Sequence, residues 1–151
     1  MVFFTGDKPS PLRGQDVTNA FIEVLALTRW SELDFLILDT PPGLGDVILD
    51  LLKLIKRLNF LVVTTPSKLS LETVKKLIAL LRSLKAPIIG VIENMSTGTY
   101  SVKEEIEKLN TRFLGSIPID PEIENALGAP EKILKTSFSQ ALAKIVNSIK
   151  A

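Results

Sequence analysis

DFLILDTPPGLGD, residues 34–46, sets four apolar residues between two aspartates and follows them with a proline pair and two glycines. A near-continuous apolar run suits a strand covered on both faces of a parallel sheet, and such sheets gather ligands at the carboxyl ends of their strands. This places Asp39 at a ligand-facing strand end. Pro41 and Pro42 would stiffen the turn that follows, while Gly43 and Gly45 would let backbone N–H groups approach an anion. A carboxylate there can hold a hydrated magnesium ion. It can equally cap the loop while the prolines end the strand, and on residue types alone the two readings stand level.

Working outward, the same kind of run recurs at VFF (residues 2–4), FLVVTT (60–65), PIIGVIE (87–93) and RFLGSIP (112–118). Between the runs, apolar residues fall at helical spacing. Val17, Ala20, Phe21, Val24 and Leu25 form one stripe, and Val47, Ile48, Leu51, Leu52 and Ile55 a second. Val74, Leu77, Ile78, Leu81 and Leu84 form a third, and Phe138, Leu142, Ile145, Val146 and Ile149 a fourth. Ser101 with Glu104 and Ser137 with Gln140 have capping-box spacing, and Asp120 before Pro121 suits an N-cap and first helical position. Strand and helix alternate without an internal repeat or evident linker. The expected fold is α/β, one domain over residues 1–151 with a doubly wound, mostly parallel sheet.

Composition narrows the chemistry. Of the 151 residues, 46% are apolar and 23% charged, enough for one buried core. A net charge of +1 gives no electrostatic reason to expect nucleic-acid or anionic-membrane binding. With no cysteine and no histidine, disulfides, thiolate or imidazole metal sites and Ser-His or Cys-His catalysis are excluded within these residues. The first residues have too short an apolar run and no basic lead for a signal peptide, and no stretch reaches membrane-spanning length without charges, so a cytoplasmic setting is expected.

The longer word LDFLILDTPPGLGD resembles the Walker B and switch II segment of Mrp-type ATPases, in the MinD and ParA superfamily of P-loop NTPases. Further words match in order: LRG at 12–14, TTPSKLSLETVKK at 64–76, APIIGVIENMS at 86–96 and FLGSIPIDPEI at 113–123. The resemblance implies a P-loop NTPase-like fold, with ATP and Mg2+ as cofactors. It implies that Asp39 orients magnesium through water and that the Gly43 backbone senses the terminal phosphate. Asn94 would hydrogen-bond adenine through its amide, which can donate and accept at once, and Pro118 and Ile119 would border the base with backbone groups. The plain alternatives are that Asn94 caps the loop after its strand and that Pro118 ends the next one.

Departures from the family pattern matter as much. A P-loop is written G-x-x-x-x-G-K-[ST] or a lysine-bearing variant, and none of the eight glycines here precedes a lysine. The chain reads as the C-terminal larger part of the family's domain, an incomplete fold without the first strand, the P-loop and the switch I aspartate, so no catalytic set is complete. The Cys-x-x-Cys pair by which many Mrp-type proteins hold an iron-sulfur cluster is replaced by NMSTGTYSVKEE, residues 94–105, and no cluster is expected from this chain alone.

Two function classes follow from these matches and departures. The chain is an ATP-binding Mrp/MinD-like protein, inactive alone and completed by a P-loop segment. Alternatively it is a non-enzymatic α/β interaction module or a ParA/MinD-like positioning remnant. A receiver-like signalling domain is weaker, because the additional acidic cluster and companion lysine are not evident. A missing central strand would expose backbone groups on its neighbours, so re-pairing of the sheet, a homo-oligomer or a partner chain is expected.

Overall fold

The structure is a computed structural model that describes residues 14–41, 46–98 and 101–150. The chain divides into two compact units, Met1–Lys56 and Arg57–Ala151.

The first unit carries two helices where two of the helical stripes lie, α1 (Gln15–Leu27) and α2 (Asp46–Leu54). Ile48 and Leu51 on α2 are buried. The Thr18 hydroxyl of α1 donates to Asp50 Oδ2 of α2 at 2.5 Å. Between them the expected strand at residues 35–38 is not formed: residues 29–41 contain neither helix nor strand. Phe35, Leu36 and Ile37 are 73%, 47% and 89% exposed. An apolar run becomes a strand only when a neighbour accepts and donates its backbone hydrogen bonds, and no described residue pairs with this one. The expected strand at 2–4 lies outside the described residues.

The second unit contains β1 (Phe60–Thr64), α3 (Lys68–Ser83), β2 (Ile88–Ser96), α4 (Val102–Glu107) and β3 (Phe113–Pro118). Three helices follow: α5 (Glu122–Ala126), α6 (Pro130–Ile133) and α7 (Ser137–Lys150). The three strands form one parallel sheet in the order β1-β2-β3.

Helices cover both faces of this sheet, because side chains alternate across a strand. On one face Thr64 is buried and its hydroxyl lies 3.2 Å from that of Ser70 on α3. On the other, Ile92, Ile117 and Ile145 of α7 form a core cluster with Leu114, Phe138, Ala141, Leu142 and Ile149. Val63 pairs with Ile92 and therefore shares the α7 face, yet Val63 stays 54% exposed and Leu61 44%. The apolar cover of that face is complete over β2 and β3 and incomplete over β1.

The capping signals were resolved differently from their spacing. Ser101 precedes α4 without a side-chain cap. The start of α7 is capped by Thr136, whose hydroxyl accepts from the Ser139 N–H at 3.3 Å, not by Ser137. Ser137 instead donates to Asp120 Oδ2 at 2.7 Å. Asp120 also accepts the Glu122 N–H through Oδ1, as an N-cap does.

Gly90 is required by its neighbours. A Cβ there would lie 2.7 Å from the Arg112 carbonyl oxygen and 2.7 Å from Leu114 Cγ, at a φ of +157°. That carbonyl cannot withdraw, because it accepts the Val91 N–H at 2.9 Å. Gly90→Ala is expected to lower stability by about 2–3 kcal/mol, read as a shifted urea midpoint. An unchanged midpoint would contradict this packing.

α3 and α4 are joined by an ion network. Lys75 Nζ lies 2.9 Å from Glu105 and 2.9 Å from Glu72, and Lys108 Nζ lies 2.6 Å from Glu105. The hydrogen bonds from Lys108 and then Lys75 push the Glu105 carboxyl down from 4.5 to about 2. A depressed folded value stabilises the protein above the unfolded value, so this contribution is present above pH 4.5 and fades as pH falls toward 2. The melting temperatures of wild type and Glu105→Gln are therefore expected to converge on titration from pH 6 to pH 2.5, and parallel curves would refute the assignment.

Candidate functional site

The carboxyl end of β2 departs from regular pairing at one point. Glu93 pairs with Ser116, and the next partners are Ser96 and Pro118. Two residues of β2, Asn94 and Met95, thus face one of β3, Ile117, which makes a bulge. Met95 takes a φ of +57°, a left-handed conformation costing a non-glycine residue roughly 1–2 kcal/mol. The Asn94 side-chain oxygen accepts the Met95 N–H at 2.9 Å, which anchors the carboxamide at the strand end. Pairing resumes beyond the bulge, where the Ile119 N–H donates to the Ser96 carbonyl at 3.4 Å.

This register gathers Asn94, Pro118 and Ile119 at the ends of two neighbouring strands. Met95 and Ile119 are 56% and 55% exposed, two large apolar side chains left uncovered at the site. The Asn94 amide N–H2 can donate, and its oxygen has a second lone pair. The Ile119 N–H is engaged in the ladder, while its side chain is exposed. The loop after β3 is tied down by Asp120, whose Oδ2 accepts the Phe138 N–H at 3.0 Å. That bond, followed by the one from Ser137, pulls the Asp120 carboxyl below its ordinary value.

A shallow cavity of about 590 Å3 lies at the start of α7, lined by Lys132, Lys135, Thr136 and Ser137 together with Asp120. It does not suit a phosphate, since the Asp120 carboxylate already occupies the first N–H groups of α7.

Sequence reasoning missed one residue beside the bulge. Glu93 is only 3% exposed. One carboxylate oxygen accepts the Ser116 hydroxyl at 2.5 Å, and the other is buried without a partner. The signal was available, since a carboxylate closes the otherwise apolar run PIIGVIE.

The remaining expected site residues belong to the first unit. Asp39 is exposed, in a segment that is not a strand, so the expectation of a carboxylate held at a strand end is corrected. Gly43 lies outside the described residues. Among the described residues no group of three or more acidic, histidine or cysteine side chains could enclose a metal ion. The exposed Asp39 carboxylate suits contact through water, not direct enclosure. At the ends of β2 and β3, Asn94 contributes a carboxamide, and Met95 and Ile119 contribute two exposed apolar side chains.

Parallel strands with helices on both faces define an α/β protein built on a parallel sheet. The chain belongs to the ParA family as described by the model "ParA: NUBPL iron-transfer P-loop NTPase", which matches residues 1–151. It is 36% identical over 156 residues to an iron-sulfur cluster carrier protein of Aquifex aeolicus, covering 95% of this chain and 43% of that protein. It is 36% identical over 153 residues to an iron-sulfur cluster carrier protein of Methanocaldococcus jannaschii, covering 91% and 53%. A cytosolic Fe-S cluster assembly factor NUBP2 homolog of Dictyostelium discoideum is 37% identical over 139 residues, covering 80% and 52%. The chain therefore spans about half the length of these relatives. A ParA family ATPase from Chlorobium tepidum has the same fold, with a TM-score of 0.63 at 23% identity over 95% of this chain and 62% of that one.

Proposed function

We propose that these residues form the base-reading part of an ATP-binding domain, which holds ATP with Mg2+ when a phosphate-binding loop is supplied by another segment or chain. The observation that supports this reading is the pairing of Ser96 with Pro118 across the bulge, which joins the strand ends that carry Asn94, Pro118 and Ile119. Asn94 donates to the purine edge, and Met95 and Ile119 exclude water from its faces. Bound magnesium would neutralise phosphate charge, with Asp39 orienting its water shell and the Gly43 backbone meeting the terminal phosphate.

Calorimetric titration of the chain joined to a phosphate-loop segment tests these roles. Asn94→Ala is expected to weaken ATP binding by about 1–2 kcal/mol, the scale of a lost buried hydrogen bond, without unfolding the protein. Asp39→Asn is expected to reduce the magnesium dependence and leave the preference for ATP over GTP intact. Equal behaviour of the two variants would overturn the assignment.

The named relatives suggest work in iron-sulfur cluster transfer, in the cytoplasm. The present residues contain no thiolate, so a cluster handled with this chain must take its sulfur ligands from elsewhere. Among the described residues no helix is long and apolar enough to cross a membrane. The uncovered β1 favours a second reading, in which the chain is an α/β interaction module that associates with another copy or a partner. Loss of magnesium-dependent ATP binding in the joined protein would favour that reading.

A further inference from the structure

We infer that Glu93 and Ser116 form a cross-strand clamp that holds the Asn94–Met95 bulge and so aims the Asn94 carboxamide; the inference rests on the base-site reading above. Their hydrogen bond, at 2.5 Å, joins β2 to β3 on the last regular rung before the ladder breaks. Bonds to a carboxylate are among the stronger hydrogen bonds a protein makes, and this one stands where register is most easily lost.

Register is at risk there because the bulge is unfavourable by itself. Met95 would relax by returning to an extended conformation, and β2 would then pair regularly with β3. A one-residue slip turns every following side chain to the opposite face. Ser96 and the residues after it would change faces, and the Ser96–Pro118 rung that joins the two strand ends beside Asn94 would be lost. The clamp opposes that slip at the rung where it would begin. Thr64 continues the rung on β1, pairing with Glu93 and buried at 1% exposure, with its hydroxyl close to Ser70 of α3.

Glu93 is a poor choice for packing alone. A buried carboxylate with one partnerless oxygen is disfavoured relative to an apolar residue of similar volume. Its retention beside a strained residue matches the pattern in which a site keeps local strain and the surrounding structure holds it in place. Glu93 and Ser116 are positioning residues, acting on a ligand only through Asn94.

The test uses the 151-residue chain in solution, by NMR titration with ATP and, separately, GTP at millimolar concentration. In Ser116→Ala the Met95 backbone coupling and carbon shifts are expected to move from left-handed to extended values. The preference for ATP over GTP is expected to fall by the same factor as in Asn94→Ala, about fivefold. Adding Met95→Gly to Ser116→Ala is expected to restore the preference, since glycine adopts the left-handed conformation without strain. Should Ser116→Ala fail to fold, Glu93→Gln decides the question, because it keeps the shape and a weaker, neutral hydrogen bond.

A left-handed Met95 in the clamp variants, with only melting temperature reduced, would overturn the inference. So would an unchanged nucleotide preference where Asn94→Ala abolishes it. If Asn94→Ala itself changes nothing, the base-site reading fails, and the clamp is then judged on the Met95 conformation alone.

Discussion

Incubated with ATP and Mg2+, residues 1–151 alone are expected to release no more phosphate than a no-protein control. Phosphoryl transfer depends on positioning and on charge stabilisation, and a phosphate-cradling loop with its lysine supplies the largest share of both. None of the eight glycines here is followed by lysine. Asp39 is exposed, and among the described residues no group of three or more acidic, histidine or cysteine side chains could hold a metal ion. Without those groups, ATP binding is expected to be no tighter than the millimolar range, about 4 kcal/mol. Joined to a lysine-bearing phosphate loop, the chain is expected to bind ATP in a magnesium-dependent way and to hydrolyse it slowly. Robust turnover by the 151 residues alone, abolished by Asp39→Ala, would reveal a phosphate site that this reading does not contain.

The isolated chain is also expected to self-associate. β1 ends the sheet with Leu61 and Val63 uncovered, and Phe35 and Ile37 are more exposed still. Among the described residues β1 is an edge strand with no lysine or proline, and an apolar edge strand is a template for pairing with another chain. Light scattering between ten and several hundred micromolar is expected to show a mass rising above the 16.6 kDa of one chain. Val63→Lys places a charge on the uncovered face and is expected to return the mass toward the monomer. A constant monomer mass over that range would rule the association out. Adding a phosphate-loop segment should compete with it if that segment covers the same strand.

How far each element could be read in advance depended on where its partners lay. The runs at 60–65, 87–93 and 112–118 became strands because each found a neighbour in the same unit, and all four stripes became helices, whose hydrogen bonds are internal. The run at 35–38 has similar residue types and no described partner, so residue type alone misled. Capping followed the same logic. Ser137 has the right spacing to cap α7, but Thr136 stands one residue earlier and Asp120 reaches the same helix end across the loop.

The candidate site divides in the same way. Asn94, Pro118 and Ile119 stand in the words ENMS and SIPID, and the strands carrying those words are neighbours in the sheet; that they read a base is the proposal. Nothing local in ENMS specifies that Met95 turns left-handed, and no spacing shows that Glu93 bonds Ser116, 23 residues away.

From its sequence alone this protein is an α/β chain of alternating strands and helices, with no thiolate or imidazole chemistry of its own and with the words of a nucleotide-binding family. Those properties follow from side-chain chemistry and from periodicity, both of which are local. Tertiary structure alone decided which apolar run became a strand, which strand stands at the edge of the sheet among the described residues, and how a two-against-one register brings the ends of β2 and β3 together at Ser96 and Pro118. Each of these depends on hydrogen bonds or burial supplied by residues distant in the chain, and a strand, unlike a helix, has none of its own to supply.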